Sequence, residues 1–90
     1  MTPIVAVQWF ESERGWGIRP DGWSIHKTTA DAEDFINDYK AKYHTAPTAP
    51  DTYSFPDAQK VIDSSAVPQE YLDQLEEAPH GTWVPQRHIQ

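Results

Sequence analysis

Apolar and polar residues change rhythm several times along this chain, and each rhythm predicts an element. Residues 4–10 are dense in β-branched and aromatic side chains, with Val5, Val7 and Trp9 on one face and Ile4, Ala6 and Phe10 on the other. A strand apolar on both faces belongs in the middle of a sheet. Polar residues 11–15 predict a turn. Residues 16–19 and 23–27 then read as a second and a third strand. A hairpin turn at Arg19-Pro20-Asp21-Gly22 would join them, proline pre-setting φ and glycine taking the positive φ.

A helical period follows. Ala32, Phe35, Ile36, Tyr39 and Tyr43 fall at i, i+3, i+4, i+7 and i+11, one apolar stripe over residues 29–43. Thr28 and Thr29 are capping residues, and acids early with Lys40 and Lys42 late match the helix dipole. Phe35, Ile36 and Tyr39 are expected to be largely buried, and Asp34 and Asp38 exposed. Residues 45–56 hold three prolines and no period, which predicts a loop pinned by Tyr53 and Phe55. Residues 59–64 read as a strand through Val61 and Ile62. Pro68 opens a short helix bearing Tyr71, Leu72 and Leu75, closed by Pro79 and Gly81. Thr82-Trp83-Val84 predicts a last strand, and the polar tail from Pro85 is expected to be loose. The order β-β-β-α-β-α-β defines a single α+β domain, 1–90, with one or two helices packed on a small, mostly antiparallel sheet.

Composition sharpens this picture. Ninety residues without cysteine have no disulfide to staple a small core, so the eleven aromatics must supply much of the buried area. The opening residues carry neither a basic leader nor a long apolar run, which predicts a cytoplasmic protein that does not enter a membrane. Net charge is −7, about −2 over residues 1–45 and −5 over residues 46–90. Such a surface disfavours direct nucleic-acid binding and suits a basic protein partner.

No nucleophile elbow, phosphate loop, dinucleotide fingerprint or H-x-x-x-H pair occurs in the sequence. The chain is therefore read as a non-enzyme that needs neither metal nor cofactor. His26 stands beside Ser24 on the strand face opposite Trp23 and Ile25. It is a candidate general base, but a hydrogen-bonded or solvent-facing histidine is the simpler reading. The acids at the start of the first helix are explained by its dipole.

The richest stretch is 14–26, where Arg14, Trp16, Arg19 and Trp23 combine the residue types that anchor protein interfaces. The competing reading makes at least one of these tryptophans core, facing the first helix through Phe35 and Tyr39. Asp73, Glu76 and Glu77 complete the candidate contact set on the acidic half.

Residues 14–26, read as R-G-W-G-x-R-P-D-G-aromatic-S-aliphatic-H, resemble a stretch found in small phage and prophage proteins. The likeness continues through the capped helix to the Tyr53-Ser54 pair. It implies a phage protein working in the host cytoplasm, of the kind that inhibits bacterial defence, anti-CRISPR proteins among them. The expectation is then a small acidic inhibitor that occludes a basic, nucleic-acid-binding protein. The alternatives are a structural or adaptor domain without inhibitory role, and a small-ligand or nucleotide binder using the Trp-rich hairpin.

Overall fold

A computed structural model of the chain describes residues 2–13, 17–43 and 52–89. Four strands and two helices alternate: β1 (Pro3–Glu13), β2 (Gly17–His26), α1 (Thr29–Tyr43), β3 (Thr52–Asp63), α2 (Gln69–Glu77) and β4 (Thr82–Pro85). The strands form one antiparallel sheet in the order β3-β1-β2-β4. The expected α+β class is the observed one, and β1, apolar on both faces, is indeed an inner strand.

That two-sided strand explains the layering. Val5, Val7 and Trp9 pack with Ala32, Phe35, Ile36 and Tyr39 of α1. Ile4 and Ala6 point the other way, into a core with Trp23, Ile25, Val67, Leu75, Val84 and Ile89, flanked by Tyr71 and Leu72 of α2. The helices therefore cover opposite faces of the sheet. Thr28 caps α1, its hydroxyl accepting the Asp31 N–H at 3.1 Å.

Of the two strands expected at 16–19 and 23–27, residues 17–19 and 23–26 belong to one, β2, and residue 16 lies outside the described residues. The hairpin turn expected at residues 19–22 is a β-bulge instead. Phe10 faces Pro20 and Trp9 faces Gly22, so Asp21 is the extra residue and β2 runs on unbroken. Cross-strand pairing with the long β1 outweighs the local turn preference. Pro20 is tolerated because β4 pairs only with residues 22–25, leaving no ladder on the other side of Pro20 to need its N–H. Gly22 is favoured by its φ of +157° and by close approach, since a Cβ there would lie 3.1 Å from the Val84 carbonyl oxygen. The β1–β2 connection falls at residues 14–16, outside the described residues.

Two further corrections concern the second half. Of the loop expected over residues 45–56, residues 45–51 lie outside the described residues and the rest, from Thr52 onward, is strand. Pro56 sits beside a register shift on the outermost strand, where a missing donor costs little. The tail is docked rather than loose. A 3-10 turn, Gln86–His88, returns Ile89 to the core at 3% exposure. The buried Gln8 amide donates to the Gly22 carbonyl at 2.8 Å and to Gln86 Oε1 at 2.7 Å, and accepts from Gln86 Nε2 at 3.2 Å. The tail is thus fastened to the bulge.

Buried core stops at Trp9 on β1 and Gly22 on β2, while residues 17–21 are exposed throughout. The sheet end formed by the distal part of β1, the start of β2 and the start of β3 thus extends beyond the packed core as an arm, in a molecule measuring 42 × 23 × 19 Å. Among the described residues no helix is long and apolar enough to cross a membrane.

Candidate functional site

The serine–histidine pair of β2 is sealed inside the structure. Ser24 Oγ lies 2.8 Å from His26 Nε2, and both residues have 0% exposure. The His80 carbonyl, 2.5 Å from His26 Nδ1, can only accept, so Nδ1 carries the proton. Nε2 then accepts from the Ser24 hydroxyl, whose oxygen accepts the Trp9 Nε1–H at 2.7 Å. Every polar group in this Trp9–Ser24–His26–His80 network is satisfied with a neutral imidazole. Burial lowers the His26 pKa, opposed by the His80 carbonyl bond and by the charge of Asp31. This network stitches the turn before β4 to the sheet, and no substrate can reach it. Sequence reasoning offered His26 as hydrogen-bonded or solvent-facing; it is hydrogen-bonded and buried.

The expected contact residues separate. Arg14 and Trp16 lie outside the described residues. Arg19 is on the arm, its side chain 63% exposed and its Nε 3.3 Å from Glu11 Oε2. Trp23 is no surface anchor: at 6% exposure it belongs to the α2-side core, facing away from Phe35 and Tyr39, with Lys60 Nζ 4.8 Å from its ring centre. Strand alternation places it there, since Ser24 and His26 take the α1 side. Asp73, Glu76 and Glu77 are all exposed on α2.

α2 itself is an acid-faced helix. Tyr71, Leu72 and Leu75 pack inward, and Glu70, Asp73, Glu76 and Glu77 are exposed, with no basic residue on the helix. Gln69 Nε2 donates to Asp73 at 2.9 Å, and Lys27 Nζ lies 3.1 Å from Glu76. Beside this pair an open cleft of about 460 Å³ runs between α2 and the start of β1, floored by Ile4, Leu72 and Leu75.

A second concavity went unforeseen. On the α1 side a groove of about 310 Å³ is lined by Phe35, Asp38, Tyr39, Lys42 and Trp83. Trp83, 43% exposed, meets Trp9, Phe35 and Tyr39 at centroid distances of 5.0, 5.2 and 5.9 Å, all edge-on. The alternation Thr82-Trp83-Val84 says that Trp83 and Val84 point opposite ways. Which way is settled only by the position of β4 beside β2.

Among the described residues no group of three His, Asp or Glu side chains is placed to hold a metal ion. No protein-family model, curated protein or solved structure matches the chain.

Proposed function

We propose that this chain acts by binding a basic protein, with the outer face of α2 as its charged contact. The observation that carries this reading is the set of four exposed carboxylates on a nine-residue helix, within a chain of net charge −7. A face of that kind draws a cationic surface from a distance and repels free nucleic acid. The resemblance of residues 14–26 to phage proteins extends the proposal to an inhibitor that occludes a nucleic-acid-binding surface of a bacterial defence protein. Turnover is not part of this reading, because Ser24 and His26 are engaged with one another and shut off from solvent.

A second reading, an adaptor domain held by its arm, is favoured by the exposed residues 17–21 and by Ile18 at 65% exposure. Capture from host lysate at graded salt separates the two. Docking through α2 weakens steeply as salt rises and is lost with Asp73→Lys/Glu77→Lys. Docking through the arm is salt-tolerant and is lost with Ile18→Ser.

A further inference from the structure

We propose that the groove between α1 and β4 receives an arginine side chain of the basic partner, its guanidinium on the Trp83 ring and paired with Asp38; this rests on the binding reading above. The groove joins two features that recognise such a cation. One is aromatic: Trp83 is the only large aromatic among the exposed hydrophobic residues described, and Phe35 and Tyr39 line the groove with it. Among the described residues no ring stacks flat on Trp83, whose contacts with Trp9, Phe35 and Tyr39 have interplanar angles of 61–69°. An indole attracts a cation through its quadrupole, most strongly a guanidinium that can lie flat on it.

The other feature is the carboxylate. Asp38 follows Phe35 by three positions and precedes Tyr39, so the exposed side of α1 next to the apolar stripe supplies an anion at the edge of the groove. Lys42 lies one turn further on, about 6 Å along the helix axis. At i+4 from Asp38 its ammonium competes with the guanidinium for that carboxylate. A planar, weakly hydrated guanidinium can stack and pair at once, whereas a lysine ammonium, strongly hydrated, cannot lie flat on the ring. The acidic surface as a whole favours a cation over an anion.

The test is a titration of the full chain with three capped tripeptides, Gly-Arg-Gly, Gly-Lys-Gly and Gly-citrulline-Gly, followed by the indole N–H resonances. The arginine peptide is expected to shift the Trp83 signal. Citrulline, which keeps the shape and loses the charge, is expected to bind about tenfold more weakly or not at all. Asp38→Asn should weaken the arginine peptide, and Lys42→Gln should strengthen it. Both positions are exposed on α1, so both variants should fold. Equal binding of citrulline and arginine, or shifts confined to signals other than Trp83, would overturn the proposal. So would an unchanged affinity in Asp38→Asn. If the peptide arm fails while the α2 charge reversals still abolish salt-sensitive capture of a basic protein, the binding reading survives and the groove assignment alone falls.

Discussion

At the scale of single residues, His26 and Gly81 are matched to one another. A Cβ on Gly81 would lie 2.6 Å from Phe35 Cδ2 and 2.7 Å from His26 Cε1, closer than carbon atoms approach without something moving. Gly81→Ala must push the imidazole or Phe35 aside, and is expected to cost about 1–3 kcal/mol in denaturant unfolding. The imidazole also makes stability depend on pH. Burial holds its folded-state pKa below the ordinary 6.5, so the unfolded chain takes the proton more readily than the folded one. Stability from this group is complete above 6.5 and falls as pH drops below that value towards the lowered folded pKa. Asp63, held low chiefly by the Ser65 hydroxyl, adds its own loss only below 3.8. Urea midpoints measured between pH 7 and 5 should therefore decline in the native chain, and should decline less in His26→Gln. An unchanged slope in that variant would mean that the buried imidazole is not the group responsible.

At the scale of elements, α1 is a lid of aromatic edges more than a deeply sunk core helix. Phe35, Ile36 and Tyr39, expected to be largely buried, are half-buried: they pack on the core around Trp9, while Phe35 and Tyr39 also line the open groove with Trp83. Asp34 and Asp38 are exposed as expected. Phe35→Ala is thus expected to cost about 2–3 kcal/mol, at or below the usual range for a fully packed phenylalanine, and less than Ile25→Ala at 0% exposure. Comparison of the two variants by chemical denaturation checks the order. α1 and α2 were legible from the chain because each carries its own period and end signals; β1 was legible as an apolar run, but the turn expected over residues 11–15 is strand through Glu13. The 19–22 bulge was not legible. Pro-Asp-Gly has turn chemistry, and only the pairing of β1 with residues 17–20, which is tertiary, makes it a bulge. The face taken by each tryptophan was hidden for the same reason. Trp23 and Trp83 look alike in sequence, yet one is core and the other lines a groove, and the sheet order decides which. Ile89 was missed because an isolated apolar residue in a polar tail has no period to announce it.

At the scale of the whole molecule, two helices on opposite faces divide the charge. α2 presents carboxylates without a basic residue of its own, whereas α1 carries acids towards its start and Lys40 and Lys42 in its last turn, and borders the aromatic groove. Long-range attraction and short-range anchoring therefore fall on different sides of the sheet, and they should separate in kinetics. Charge attraction acts before contact and mainly sets the association rate, whereas an anchoring ring acts after it and mainly sets the dissociation rate. Reversal of Asp73, Glu76 and Glu77 to lysine is expected to slow association with the basic partner and flatten its salt dependence. The fold should tolerate it: all three side chains are exposed, and the Lys27–Glu76 pair is a surface ion pair of the kind that contributes about 0–1 kcal/mol. Trp83→Phe, which keeps an aromatic ring against Trp9, is expected to leave association unchanged and to speed dissociation. Surface-immobilised partner, measured at low and at physiological salt with both variants, reads the two rates directly. If the α2 reversals changed only dissociation, or if Trp83→Phe changed only association, the division of labour between the two faces would be wrong. If neither variant altered either rate while Ile18→Ser abolished capture, the exposed arm would be the contact and the adaptor reading would replace the inhibitor.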